Sequence, residues 1–325
     1  RVMKSIKFLP PKYLRNPHLQ SIMNSLGPRK VKAKLLIKRF RSKTMVLRAA
    51  DGTYLLGEFD KSNCSQNAIV VLLHGWEGSS KSSYLVTTAN TLLNHGFDVL
   101  RLNFRDHGNT HHMNRGIFNS TMTEEVSDVI KQFLQKFEYK KRFIAGFSLG
   151  GNFALRIATD RGNELKLNAV AAISPPVDPI NAMIAIRLAP SIYRNYFFRK
   201  WSVSLKTKLM FFPEYNFGEE LKKAKSLDDL NAVFIPRFTP YSTPNEYFSS
   251  YSIVEDRLSG LPVPSYLIAS MDDPVIPTDD ITKINKTNFL NIDVQTFGGH
   301  CGFIESLNAN SWIESYLVDI FKSSL

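Results

Sequence analysis

One serine in this sequence has the surroundings that a nucleophile needs. Ser148 lies in "GFSLG" (146–150), which matches the pattern G-x-S-x-G. The apolar residues at 143–145 predict the end of a buried strand, and the apolar spacing at 152–158 predicts an amphipathic helix. A sharp turn between strand and helix lifts a serine hydroxyl above the sheet, and small residues on either side let the two elements pass closely. The motif therefore predicts a nucleophile.

A serine hydroxyl needs a base, and the base needs a third group that fixes its tautomer. Where this motif carries the nucleophile, the acid and then the histidine follow it along the chain. Of the seven histidines, only His300 follows Ser148. It lies in "FGGHCGF" (297–303), on a glycine-flanked loop after an apolar stretch. We therefore predict His300 as the base.

Two aspartates compete for the role of the acid. Asp272 and Asp273 both follow the strand-like run "PSYLIAS" (264–270), and the order of the groups allows either one. The segment "DPVIP" (273–277) has the D-x-x-V-P-like shape often found at this position in α/β-hydrolases, and this resemblance favours Asp273. We expect Asp272 to be an exposed loop residue or a helix cap.

Acyl transfer also needs hydrogen-bond donors for the oxyanion that develops in the reaction. The backbone N–H of Leu149, at the start of the predicted helix, is the first candidate. The second should come from the loop after an earlier strand, which is "LLHGWEGSSKSSY" (72–84). We nominate the N–H of Trp76 in this loop and expect His74 to brace the loop without taking part in the chemistry.

The elements that must position these groups alternate between β and α character. The pattern predicts a hairpin at 44–60 that turns at "DG" (51–52), strands at 68–75, 97–104, 167–174, 264–270 and 291–297, and helices at 84–96, 123–137 and 311–323. Such alternation predicts an α/β fold with a mostly parallel central sheet and helices on both faces. Residues from about 178 to 258 are helical in tendency, and we expect them to form a helical cap within a single domain at 51–325.

Composition narrows the class of protein. The 325 residues are enough for one large α/β domain, and the chain has neither a run of about 18 apolar residues nor the apolar region of a secretory signal. Two cysteines, Cys64 and Cys301, form neither a disulfide framework nor a metal motif. We therefore expect a cytoplasmic protein, with peripheral attachment to a membrane surface left open.

The net charge of +12 comes from one end of the chain. Residues 1–50 contain fourteen Lys or Arg and no Asp or Glu, and the remainder has 27 basic against 29 acidic residues, a net charge of −2. We expect residues 1–50 to form a basic arm that packs on the core or extends from it. A solvated face is the favoured interpretation of the arm, and contact with anionic lipid is the alternative.

Five motifs together carry a resemblance to a known family. They are "RNPHLQSI" (15–22), "LLHGWEGSS" (72–80), "GFSLGGN" (146–152), "MDDPVIP" (271–277) and "GGHCGF" (298–303). The set resembles the YheT-like branch of the α/β-hydrolases, which includes bacterial esterases and related eukaryotic phospholipases and medium-chain ethyl-ester synthases. The segment 16–20 is the most branch-specific piece, and the likeness runs from about residue 8 to the terminal helix. It implies the α/β-hydrolase fold, the triad Ser148, Asp273 and His300, and esters of fatty acyl groups as substrates.

Two other motifs have competing interpretations. The loop "DHGNTHHM" (106–113) gathers an aspartate and three histidines, but no metal-ligand spacing supports a metal site, and a polar loop is favoured. The segment 193–212 interleaves aromatic with basic residues. It is typical of an amphipathic cap helix over a pocket, with membrane contact as the alternative, and nucleic acid is disfavoured.

The sequence therefore predicts a serine hydrolase of carboxylic esters, with medium-chain or lipid acyl groups as the expected substrates. We expect no metal, no cofactor, no nucleic acid and no obligate protein partner. Two alternatives remain open. One is an acyltransferase that uses an alcohol acceptor, and the other is a non-catalytic module on the same fold that binds a lipid or a partner.

Overall fold

A mixed β-sheet runs through the centre of the molecule. The structure, a computed structural model, describes residues 6–308 and 310–325, and within these residues the sheet has eight strands. The strands are β1 (Lys43–Arg48), β2 (Tyr54–Asp60), β3 (Ala68–Leu73), β4 (Phe97–Leu102), β5 (Lys141–Phe147), β6 (Ala169–Ile173), β7 (Ser265–Ser270) and β8 (Leu290–Gln295). Their order is β1-β2-β4-β3-β5-β6-β7-β8. Strand β2 is antiparallel to β1 and β4, and the other pairs are parallel.

Helices cover both faces of this sheet. They are α1 (Pro17–Met23), α2 (Pro28–Arg39), α3 (Ser83–Asn94), α4 (Thr123–Lys136), α5 (Leu149–Arg161), α6 (Pro179–Leu188), α7 (Ser191–Phe211), α8 (Gly218–Lys223), α9 (Leu227–Phe238), α10 (Pro244–Ser250) and α11 (Trp312–Lys322). Both faces of β3 are buried, which explains its continuous apolar run. Ile69 and Val71 pack with α4 and α5 on one face, whereas Val70 and Leu72 pack with α3 and α11 on the other. The predicted fold class is confirmed.

The chain between β6 and β7 forms the five helices α6 to α10. They have small apolar clusters of their own, one of which surrounds Leu205 and Phe234. A buried ion pair also ties this cap to the sheet, because Lys208 of α7 lies 2.8 Å from Asp106 in the loop after β4. Among the residues described, no helix is both long and apolar enough to cross a bilayer.

The described part of the basic arm is built into the core. Phe8 is 3 % exposed and packs between the rings of Phe303 and Trp312. Arg29 of α2 forms a buried ion pair with Glu314 of α11 at 3.1 Å. The sequence pattern assigned no helix to residues 1–50, and the structure places α1 and α2 there, followed by edge strand β1. Residues 6–50 thus add both sheet and helix to the fold.

Candidate active site

Ser148 occupies the turn between β5 and α5 with a backbone that few non-glycine residues adopt. Its φ is 53° and its ψ is −120°, and its N–H donates to the carbonyl of Ile173 at 2.8 Å. The flanking glycines are required because the turn is so tight. A Cβ at Gly146 would overlap the carbonyl of Gly150, and a Cβ at Gly150 would overlap the carbonyl of His74. The turn therefore presents the hydroxyl at the carboxyl edge of the sheet.

The structure brings Ser148, His300 and Asp273 into one hydrogen-bonded chain. His300 Nε2 lies 2.9 Å from Ser148 Oγ, and its Nδ1 lies 2.9 Å from Asp273 Oδ2. The other carboxylate oxygen of Asp273 accepts the backbone N–H groups of Val275 and Ile276 at 2.8 and 2.9 Å. Because the carboxylate accepts from Nδ1–H, Nε2 is left as the acceptor for the serine hydroxyl.

Two opposing effects set the basicity of His300, whose side chain is 15 % exposed. Burial disfavours the imidazolium, but the neighbouring Asp273 carboxylate and Cys301 together outweigh it and raise the pKa of His300 well above its ordinary value. The aspartate therefore both orients the ring and stabilises its protonated form.

The loop that carries His300 has an irregular backbone that depends on outside contacts. Gly299, Cys301 and Phe303 have φ values of 60°, 62° and 49°. Asp272 accepts the N–H of Gly299 at 2.8 Å, and Ser270 donates to the carbonyl of the same glycine at 2.6 Å. Asp272, expected as an exposed loop residue or a helix cap, is instead half-buried and holds the histidine loop.

Helix α1 supports the same loop from the N-terminal part of the chain. Asn16 caps the helix, and the amide of the fully buried Gln20 both donates to and accepts from the backbone of Ile304, at 3.0 and 2.6 Å. Ser21 Oγ accepts the N–H of His300 at 2.8 Å. No sequence pattern indicated this supporting role, although Asn16 and Gln20 lie in the branch-specific segment 16–20.

The two N–H groups nominated for the oxyanion belong to residues that line the same cavity as Ser148. Within the described residues neither the N–H of Trp76 nor that of Leu149 donates a hydrogen bond to the protein. His74 braces the loop before Trp76, because its Nδ1 contacts the carbonyl of Gly75 at 2.6 Å and its Nε2 accepts the N–H of Phe104 at 3.1 Å. Burial lowers the pKa of His74 to about 4, so this ring is neutral and structural.

A cavity of about 990 Å³ opens onto Ser148 and His300. Its wall is largely apolar and includes Trp76, Ala182, Met183, Ile186, Phe197, Trp201, Val275 and Ile276. Trp76 stacks on Phe197 with ring centroids 5.4 Å apart. Glu77 is the one acidic residue among the described lining, and burial raises its pKa to about 8. This volume and lining suit an apolar ligand with a small polar centre.

The side chains of the loop 106–113 are engaged separately by the protein. Asp106 pairs with Lys208, His107 Nε2 accepts the N–H of Glu77 at 3.0 Å, and His111 contacts Ser204 at 2.8 Å. In the ranges 6–308 and 310–325, no group of three or more His, Cys, Asp or Glu residues is arranged to hold a metal ion. The loop serves to anchor the cap over the cavity.

Comparison with known proteins identifies the class to which this protein belongs. Residues 68–307 match the family model for the alpha/beta hydrolase fold, and the chain belongs to this family. It is 25 % identical to the Escherichia coli K12 protein named "Putative esterase YheT", over 97 % of this chain and 93 % of that protein. The resemblance to the YheT-like branch is confirmed.

A second relative and a solved structure add to this comparison. The chain is 23 % identical to the medium-chain fatty acid ethyl ester synthase/esterase 2 of Saccharomyces cerevisiae, over 78 % of this chain and 61 % of that one. The structure of the Pyrococcus furiosus esterase Pf2001 matches with a TM-score of 0.61 at 16 % identity and covers 99 % of both chains. At that identity the structural match supports the fold alone.

Proposed function

We propose that this chain, a carboxylic ester hydrolase, works through an acyl-enzyme formed on Ser148. The observation that carries the proposal is the continuous chain from Ser148 Oγ through His300 to Asp273, with both hydrogen bonds at 2.9 Å. The apolar cavity ends at this hydroxyl. A non-catalytic module has no need for a strained serine aligned with a base and an acid.

Each group of the site has one role in the proposed reaction. Ser148 Oγ attacks the ester carbonyl carbon while His300 Nε2 takes the hydroxyl proton, and Asp273 holds the resulting imidazolium through Nδ1–H. The carbonyl oxygen becomes an oxyanion that accepts the N–H groups of Leu149 and Trp76. The tetrahedral intermediate then expels the alcohol, to which His300 returns the proton, and the acyl group remains on Ser148. Water, deprotonated by the same imidazole, releases the carboxylic acid and restores the serine.

The cavity supports medium-chain or lipid acyl esters as substrates. Its aromatic and aliphatic wall removes an acyl chain from water, which contributes about 0.8 kcal/mol for each buried methylene. Relatives named for medium-chain fatty acid ethyl esters and for monoacylglycerol support the same substrate class. Cys64 and Cys301 are both free thiols, which supports a reducing, cytoplasmic location.

Hydrolysis of a panel of p-nitrophenyl esters tests the proposal. The wild-type protein should release p-nitrophenol, and Ser148→Ala should lower kcat by at least about a thousandfold. Mass spectrometry of the quenched enzyme should find the acyl group on the peptide that contains Ser148. Ligand binding that survives Ser148→Ala, without turnover by the wild type, would show a binding module instead.

A further inference from the structure

Helix α7 exposes a stripe of apolar side chains at the mouth of the cavity. Ile192, Tyr196, Val203 and Met210 recur at intervals of four and seven residues, so they share one face of the helix. They are 42 % to 80 % exposed, and the stripe is about 27 Å long at 1.5 Å per residue. The first three also line the cavity, so the apolar surface continues from solvent to Ser148.

Two helices that line the cavity, α2 and α7, are basic. Helix α2 has six Lys or Arg and α7 has five, and neither helix contains Asp or Glu. Helix α2 also exposes Val31 and Leu35, at 60 % and 54 %. Of the eleven basic side chains on these helices, only Arg29 and Lys208 form ion pairs within the described residues, and the nine others include Lys30, Lys34, Arg199, Lys200 and Lys206.

We infer that these exposed residues of α2 and α7, here called the rim surface, dock on a phospholipid bilayer that contains anionic lipid. Interfacial helices combine exposed apolar residues with Lys and Arg in this way, and basic residues strengthen attachment to an anionic surface. Four of the nine basic side chains on these helices that form no ion pair within the described residues, those at 30, 34, 199 and 200, also line the cavity. The surface thus places the mouth against the bilayer. Passage of an acyl ester from lipid to Ser148 rests on the proposed function, whereas the docking does not.

Vesicle sedimentation with the full chain tests the docking. The Ser148→Ala variant is used so that no lipid is hydrolysed. It should bind phosphatidylcholine vesicles that contain about a quarter phosphatidylglycerol and should bind pure phosphatidylcholine vesicles much less, with the difference reduced in high salt. The double variant Lys206→Glu/Met210→Asp, added to Ser148→Ala, should weaken binding by at least about tenfold. Neither residue lines the cavity, so the same pair in the wild-type background should leave hydrolysis of a water-soluble ester unchanged.

A matched control makes the same charge change at the opposite edge of the sheet. Lys140 precedes β5 and Phe289 precedes β8, so Lys140→Glu/Phe289→Asp lies at the amino edge and should retain vesicle binding. Equal binding to the two kinds of vesicle, or an equal loss in the control, would overturn the docking. Vesicle binding without hydrolysis of any soluble ester would support docking of the rim surface and reject the proposed function.

Discussion

The backbone N–H of His300 donates a 2.8 Å hydrogen bond to the hydroxyl of Ser21, which lies 279 residues earlier in the chain. Ser21 Oγ in turn donates to the carbonyl of Pro17 at 2.7 Å, so its hydrogen points away and a lone pair faces His300. Helix α1 therefore fixes the backbone of the proposed base directly, from a segment outside the region that matches the family model.

Removal of this contact should affect the chemical step. We expect Ser21→Ala to lower kcat for a short-chain ester by about tenfold with KM nearly unchanged, because one misplaced hydrogen bond loosens a base that must lie within about 3 Å of the serine. Steady-state kinetics separates the two parameters. Ser21→Thr, which keeps the hydroxyl, should restore most of kcat.

Leu19→Ala is the control on the same helix, because this side chain is 38 % exposed and does not line the cavity. It should leave kcat at the wild-type value. Equal losses in Ser21→Ala and Leu19→Ala would mean that α1 acts only through general stability.

The pH dependence of kcat/KM should report the pairing of His300 with Asp273. Burial opposes protonation of the ring, but the carboxylate raises the pKa of His300 above its ordinary value of about 6.5. Only the neutral ring accepts a proton, so activity should fall as pH decreases through a midpoint above that value. In Asp273→Asn the attraction of the carboxylate is lost while burial remains, so the midpoint should move to lower pH, with kcat reduced by at least about a hundredfold.

Asp272→Asn provides the comparison, because Asp272 contacts the backbone of Gly299 and not the imidazole. In the Asp272→Asn variant, kcat/KM should fall at low pH with the same midpoint as in the wild type. A wild-type midpoint at or below the ordinary histidine value would contradict the assigned role of Asp273.

The length of acyl chain that the enzyme accepts should depend on α6. Met183 lines the cavity, and Met183→Trp fills part of the apolar volume. We expect kcat/KM for the octanoate ester to fall by about tenfold, since a displaced chain loses about 0.8 kcal/mol for each methylene, while the acetate ester changes little. Ile184→Trp adds similar bulk one residue away, where the side chain is 42 % exposed and outside the lining. It should leave both rates unchanged, and equal wild-type rates on the two esters would argue against the acyl cavity.

The stability of the cap should depend on its buried ion pair. Lys208 and Asp106 are 1 % and 5 % exposed. Lys208→Met leaves an uncompensated carboxylate, which should lower the free energy of unfolding by about 3 kcal/mol. Urea denaturation measures this change. Adding Asp106→Asn to that variant should recover part of the loss, whereas Lys206→Met, on the exposed face, should have little effect.

Local chemistry was enough to predict much of this protein from its sequence. The short continuous apolar run of β3 predicted a strand buried on both faces, and the helical spacing of the apolar residues predicted α5, because burial imposes a pattern on neighbouring residues. The glycines around Ser148 marked the turn because only glycine fits there. These features depend on residues within a few positions of one another.

Contacts between distant segments were decided only by the tertiary structure. No local pattern indicated that Ser21 and Asp272 hold the loop of His300, that Lys208 meets Asp106, or that α2 and α7 border one cavity. A hydrogen bond across 279 residues leaves no periodicity in the chain, because the fold alone determines which buried polar groups meet. The sequence by itself therefore determined the fold class and the candidate nucleophile, base and acid, and the packing of distant elements decided how they are held and what surrounds them.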